Sequence, residues 1–243
     1  MNIIKLNAIE STNSFLKELI MNQYVENFTI VSTDNQTKGK GQVGAVWNSE
    51  AGKNLTFSVL VKDVIVESVS VFILNTLVSI SIIKALEKFK INNLAIKWPN
   101  DILSDQKKIA GILIENIFKG NNEIVSIVGI GLNVNQFYFD NLPQASSLAI
   151  LNNKEFDKDL ILTEVHHQLK FHCTQIANSV KKDFWKEYHD YLFKKSIPSV
   201  FLDIDNHKFM GIIKGVSKFG KLQVILDDDS IKEFDLKEIK MLY

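Results

Sequence analysis

Arginine is missing from this chain. All 28 basic side chains are lysines, balanced by 28 acidic ones to a formal net charge of +0. A phosphate or carboxylate must therefore be held by ammonium point charges and backbone N–H groups, never by a bidentate guanidinium fork. The balanced charge also argues against a non-specific nucleic-acid binder, which needs a basic surface. Cysteine occurs once, at Cys173, which excludes an intrachain disulfide and fits a reducing cytoplasm. Residues Met1 to Asn7 lack the basic stretch and apolar core of a signal peptide. The long uncharged run at 69–83, VSVFILNTLVSISII, falls short of the roughly 20 residues a spanning helix needs. It is interrupted by Ser70, Asn75, Thr76, Ser79 and Ser81, so it reads as a buried helix of a soluble domain. With 243 residues, 46% hydrophobic and 23% charged, the chain can bury a core as one large domain, or one large and one small.

What is present in unusual density is glycine and lysine together, in Asp34 to Trp47, directly after the β-branched run Phe28 to Thr33. Glycine lets backbone approach a ligand closely, and successive N–H groups in such a loop can form an anion site. Gly39, Gly41 and Gly44 have the G-x-G-x-x-G spacing, but a dinucleotide-binding loop must open a helix. Here a polar stretch leads into Leu55 to Val61, a strand-like run. The loop is thus strand–loop–strand, and by itself could be only a flexible turn.

The rest of the chain supplies further candidates. Ser11-Thr12-Asn13-Ser14 precedes the apolar Phe15, Leu16, Leu19 and Ile20, an N-cap signature that could equally bind a polar ligand head. A long helix is expected over 66–90. Lys97-Trp98-Pro99-Asn100-Asp101 reads as a strand ending at Trp98 and a turn at Asn100-Asp101; Lys97 could be solvated or could present charge into a cleft. Residues 108–118 and 123–135 read as two long strands joined at Gly120-Asn121-Asn122. Gly129 and Gly131 share one face of the second, leaving room for a flat ligand or for tight packing. Ser146-Ser147 caps another segment, and helical patterning covers 156–192. His166, His167, His172 and His189 lack metal-ligand spacing, so no metal residues are expected among them. After Pro198, four short strands separated by turns such as Asp205-Asn206-His207 and Asp227-Asp228-Asp229 read as a small β-barrel.

Four stretches stand in a definite order: Ser11-Thr12-Asn13; Gln36-x-x-Gly39-Lys40-Gly41-Gln42-x-Gly44-x-x-Trp47; Lys97-Trp98-Pro99-Asn100-Asp101 with Lys108-x-Ala110-Gly111; and Gly129-x-Gly131-x-Asn133. Together they resemble the biotin–protein ligases, bacterial enzymes that biotinylate carboxyl carrier proteins. The resemblance covers essentially the whole chain, and the KWPND and KIAG pair is its most specific part. It implies an α/β (α+β) catalytic domain with a mixed sheet, related to class II aminoacyl-tRNA synthetases, over 1–194, and an SH3-like barrel over 195–243. It also implies a two-step reaction, in which ATP and biotin give biotinyl-AMP and a carrier-protein lysine then takes the biotin.

Lys108 matches the family's lysine on both the biotin carboxyl and the phosphate, and Lys97 the one on the nucleotide side. Lys40 is expected to serve catalysis, biotin and nucleotide. Asn100 and Asp101 match residues that orient nucleotide, metal or the incoming amine, with Asp101 its acceptor. Ser11, Thr12, Asn13 and Gln36 fall on biotin's polar ring. Gly39, Gly41, Gln42 and Gly111 also fall on biotin, with Gly129 and Gly131 where its ring packs. Trp47 matches an aromatic that closes over the ligand, and Asn133 a nucleotide contact. Mg²⁺ would bridge phosphates and substrate oxygens. The implied partners are biotin, ATP and a biotin carboxyl carrier protein or domain, with no membrane; a homodimer is compatible with this. Only ten residues precede Ser11, so no DNA and no repressor activity are expected.

The loop departs from the family pattern. Lys40 and Val43 stand where relatives carry arginines, so charge is kept at one position and the bidentate fork is lost. Two alternatives remain open. A lipoate or octanoyl ligase or transferase would share the fold. A non-catalytic binding module would have lost the Lys97 and Lys108 pair, which is present.

Overall fold

The computed structural model describes residues 1–64, 71–118, 124–177 and 183–243. The start of the expected long helix at 66–70, the Gly120-Asn121-Asn122 turn and the 178–182 part of the helical stretch lie outside the described residues. Seven strands form one mixed sheet: β1 (Ile3–Ile9), β2 (Ile30–Gln36), β3 (Leu55–Lys62), β4 (Leu94–Lys97), β5 (Asp101–Ser104), β6 (Lys107–Phe118) and β7 (Ile124–Leu132). Their order is β1-β2-β3-β7-β6-β5-β4. The β1–β2 pair is parallel and every other neighbouring pair antiparallel.

The alternation of side chains along each strand divides the sheet into two chemically different faces. Phe57, Val59, Val128, Ile130, Ile112 and Ile114 point to the main core, under helices α2 (Val71–Lys88) and α4 (Lys158–Ala177). The buried-helix reading of 69–83 holds over its described part: Leu74, Leu77, Ile80 and Ile83 are fully buried. Its serines are satisfied within the helix, Ser79 Oγ donating to Asn75 O at 2.8 Å and Ser81 Oγ to Leu77 O at 2.6 Å. No described helix is long and apolar enough to cross a membrane.

The opposite face carries helix α1 (Thr12–Asn22), whose Leu16 packs with Val31, Leu60, Val125 and Ile127. That apolar patch covers only part of the face. Beyond it the same rows continue as Thr56 and Ser58 on β3, Gly129 and Gly131 on β7, and Gly111 and Leu113 on β6. Small and polar residues thus leave a hollow beside the N-terminus of α1.

Short helices α3 (Leu148–Asn152) and α5 (Phe184–Asp190) follow, α3 capped by Ser147 as expected. The chain then enters a five-stranded antiparallel sheet of β8 (Pro198–Asp203), β9 (Lys208–Val216), β10 (Leu222–Ile225), β11 (Ile231–Phe234) and β12 (Ile239–Leu242), ordered β11-β10-β9-β8-β12. One strand exceeds the four read from the sequence. β12 is only four residues long, with Lys240 inside it, and it gains strand character by pairing with β8. The two sheets share one core, with Phe201, Ile213 and Val224 in the same buried cluster as the main-sheet residues. Trp98 Nε1 also donates to Gly220 O at 2.8 Å, tying the β9–β10 turn to the KWPND segment.

Candidate active site

Two cavities open on the α1 face and meet at Lys108, Asp101, Trp47 and Val46, which line both. The first, about 220 Å³, runs from that junction to Ser11, Thr12, Asn13 and Gln36. The N-cap reading of Ser11 holds, its side chain accepting from Ser14 N at 3.4 Å. Ser11, Thr12 and Asn13 are nonetheless buried and face the cavity, so capping and ligand-facing positions coincide. Gln36 Oε1 accepts from Thr12 N at 2.9 Å, and Ser58 Oγ lies 2.6 Å from Asn13 Oδ1 and 2.7 Å from Thr12 Oγ1. The far end of the cavity is therefore a fixed polar cluster.

Glycines make the floor. Gly111 and Gly131 are cross-strand partners, and Gly129 pairs with Ser58. A Cβ on Gly129 would lie 2.4 Å from Asn13 Oδ1, and one on Gly131 2.2 Å from Trp47 Cε2. The room above them is thus shared with Asn13 and the Trp47 ring. The Trp47 Nε1 donor is buried without a partner, an unmet N–H beside the junction.

The loop from Gly39 to Trp47 folds as a narrow flap. Lys40 bridges Val46, Trp47 N donates to Gly39 O at 3.0 Å, and Gln42–Gly44 make a single 3₁₀ turn at the tip. No α-helix follows, as expected for strand–loop–strand. Gly41 and Gln42 line the first cavity, and Gly39 does not. A Cβ on Gly39 would lie 2.2 Å from Trp47 O, so glycine is needed there for the close approach of the flap's two arms. Of the two cavities Lys40 lines the first and not the second, and its ammonium turns outward to Ser14 Oγ at 3.0 Å.

At the junction one carboxylate serves two lysines. Asp101 Oδ1 is 2.6 Å from Lys108 Nζ and Oδ2 is 3.8 Å from Lys97 Nζ. The turn here is Trp98 to Asn100, and Asp101 already belongs to β5, opposite Gly111. Without a Cβ on Gly111 the Lys108 chain lies across it, 3.5 Å from where that atom would be. Asn100 lines the first cavity rather than the second. Its Nδ2 donates to Ile112 O at 2.7 Å and its carbonyl accepts from Ile112 N at 3.0 Å, so it pins the turn to β6.

The second cavity, about 580 Å³, carries Lys97 and Asn133 together with Lys240, Tyr243, Phe139 and Gln144. Lys97 Nζ sits 5.0 Å from the Tyr243 ring centroid. Burial holds the Lys97 ammonium below its ordinary pKa; Asp101 opposes this, and the like charges of Lys108 and Lys240 reinforce it. Tyr243 is raised by burial and by Asp101. Lys240 and Tyr243 were not singled out in the sequence, because no local pattern links β12 to a site built from strands 130 residues earlier. Ser58 was legible in principle, since Thr56 and Ser58 alternate with the apolar residues of β3.

Histidine takes no part among the described residues of the site. His166, His172 and His189 are engaged by Phe28 O, Ser81 Oγ and Val216 respectively.

The mixed sheet thus carries a polar-ended pocket and a lysine-lined cavity, with one carboxylate shared by the lysines where they meet. The chain belongs to the biotin/lipoate A/B protein ligase family, whose model matches residues 6–135. A biotin protein ligase from Aquifex aeolicus, solved in complex with biotin and ATP, superposes with a TM-score of 0.81 at 26% identity, covering 99% of this chain and 98% of that one. The bifunctional ligase/repressor BirA of Bacillus spizizenii is 31% identical over 170 residues, 68% of this chain and 51% of that protein. The biotin–[acetyl-CoA-carboxylase] ligase of Mycobacterium tuberculosis is 27% identical over 159 residues, 62% of this chain and 56% of that protein. The chain spans about half the length of these curated relatives.

Proposed function

We propose that this protein is a biotin–protein ligase, which activates biotin with ATP and transfers it to a lysine of a biotin carboxyl carrier protein. The observation that carries this is the meeting of the two cavities at Lys108 and Asp101. In the first step a biotin carboxylate oxygen attacks the α-phosphorus of ATP and pyrophosphate leaves. Two anions must be brought together, so cations fixed at the junction lower the barrier by neutralising both and by orienting them. Lys108 is placed to touch both reactants, and Lys97 lies on the nucleotide side. In the second step the carrier's ε-amine attacks the acyl carbon and AMP leaves with the bonding electrons. Asp101 is the acceptor for the proton the amine sheds.

Biotin is favoured over lipoate by the polar end of the first cavity. A ureido ring has N–H and C=O groups that can join the polar cluster of Ser11, Thr12, Asn13 and Gln36, whereas a dithiolane ring can make no such hydrogen bond and only desolvates it. Lys40, Gly41 and Gln42 close over the intermediate as a flap, with Trp47 and Asn133 on the adenylate side. Asp101 is the only acidic side chain among the described residues lining the two cavities, and both its oxygens face lysines. Among the described residues these two cavities thus offer no acidic cage for a resident metal, and Mg²⁺ enters with ATP as part of the substrate.

We read residues 1–194 as a catalytic domain of the class II aminoacyl-tRNA synthetase kind. Residues 195–243 we read as an SH3-like barrel, supported by five short antiparallel strands. The test is ATP–pyrophosphate exchange. Wild-type protein should exchange only with biotin present, and Lys108→Ala should lose about 10²–10³-fold. Exchange without biotin, exchange driven by lipoate, or a fully active Lys108→Ala would refute the reading.

A further inference from the structure

Glu115 lines neither of the two cavities, yet it ends the hydrogen-bond chain that runs into the first. Strand alternation puts it on the same face of β6 as Gly111 and Leu113. Its Oε2 accepts from Asn13 Nδ2 at 2.6 Å, and that amide nitrogen is also 3.4 Å from Leu113 O. The reverse orientation of the amide would press Asn13 Oδ1 against a carboxylate and a carbonyl, acceptors with no proton between them. The orientation of Asn13 is therefore dictated. Asn13 Oδ1 must accept, and Ser58 Oγ supplies the proton at 2.6 Å. Ser58 has one proton, so once that is given to Asn13 its 2.7 Å contact with Thr12 Oγ1 requires Thr12 to donate. Gln36 Oε1 accepts from Thr12 N at 2.9 Å and lies farther, 3.3 Å, from Thr12 Oγ1, so the shorter 2.7 Å contact to Ser58 takes the Thr12 proton. Thr12 Oγ1 is left facing the cavity as an acceptor. Thr12, Asn13 and Ser58 are all buried, so water does not relax this order.

We propose that Glu115 is a positioning residue that sets ligand specificity. By fixing the Asn13 amide, it makes the polar end of the first cavity an acceptor for a ring N–H of a cyclic urea. The inference rests on the biotin reading above and adds to it a residue that does not touch the ligand. In Glu115→Gln the new amide can present either end to Asn13, the chain can reverse, and Thr12 can turn donor.

The experiment measures dissociation constants of wild type and Glu115→Gln for biotin and for the two cyclic-carbamate analogues, in which one or the other ring N–H is replaced by oxygen. Wild type should reject at least one carbamate by about tenfold or more relative to biotin. In Glu115→Gln that ratio should fall toward one. A merely structural role would weaken all three ligands in parallel, and an unchanged ratio would overturn the proposal. Wild type that binds no biotin would instead refute the biotin reading itself. If Glu115→Gln does not fold, Asn13→Asp gives an independent measurement. Two carboxylates would then meet at the 2.6 Å contact and share one proton. Biotin affinity should then fall as pH rises through the range where that proton is lost, while wild type stays flat. A flat Asn13→Asp profile would overturn the proposal equally.

Discussion

The Trp47 indole occupies the volume that a side chain on Gly131 would need, and its buried Nε1 donor has no partner there. The glycine floor and the flap are thus one device, in which the ring can lie on the sheet only because β7 carries no Cβ at that rung. Gly131→Ala should push the ring off the floor. Because Trp47 sits on a loop that can give way, the loss should fall on function rather than on stability. We expect biotin-dependent pyrophosphate exchange to drop at least about tenfold while the melting temperature moves by no more than a few degrees. Kinetics and thermal unfolding of the same preparation check this; unchanged exchange would show that the ring has no fixed place.

Asp101 holds two ammonium groups at once, and its removal should separate the two half-reactions. In Asp101→Asn, Lys97 and Lys108 remain, so biotin-dependent exchange should persist at reduced rate. Transfer to a carrier should suffer more, by about 10²-fold or beyond, as expected for loss of a proton acceptor. Exchange and carrier biotinylation, measured side by side, decide the matter. Equal losses in both would assign Asp101 only to holding Lys97 and Lys108.

The two halves of the site differ in how far they could be read from the chain alone. Ser11 to Asn13, the Gly39 to Trp47 flap and the KWPND–KIAG pair are local patterns, each carried by one turn or strand end, and they converge in the structure. The second cavity is built by tertiary pairing. Lys240 and Tyr243 reach it because β12 pairs with β8 and the second sheet packs against the first. No spacing in the sequence records that. Asn100 shows the converse limit. It stands inside the most specific motif, yet its amide is spent on Ile112 O, since the turn from the edge strand β4 into β5 needs its own hydrogen bonds.

Lys97 supplies a pH signature. Its folded pKa lies below the ordinary lysine value, with burial the first cause. An anionic phosphate needs the charged form, so ATP affinity should be constant at neutral pH and fall as pH rises through this lowered value. A free lysine would keep the charge to higher pH. Bound phosphate favours the ammonium, so the limb should appear in kcat/KM for ATP and move to higher pH in kcat. Lys97→Arg, which stays charged, should abolish the limb in kcat/KM. A limb that survives Lys97→Arg would assign it to another group.

Lys40 is the residue where the absence of arginine is felt most. Its ammonium is exposed and donates to Ser14 Oγ rather than turning toward Lys108, so the flap is held to α1 by one contact at the helix start. In the closure proposed above the ammonium leaves Ser14 for the intermediate, exchanging a hydrogen bond to a neutral hydroxyl for one to an anion. The exchange is worth about 1–3 kcal/mol, or roughly 5- to 150-fold in retention of the adenylate. Lys40→Ala should therefore leave adenylate formation nearly intact while the intermediate escapes to solvent before transfer. Ser14→Ala, which frees the ammonium, should slow that escape or leave it unchanged. Lys40→Arg restores the fork and should slow it beyond wild type. The measurement is release of radiolabelled biotinyl-AMP in the absence of carrier. Equal release from Lys40→Ala and Lys40→Arg would place Lys40 outside the retention step.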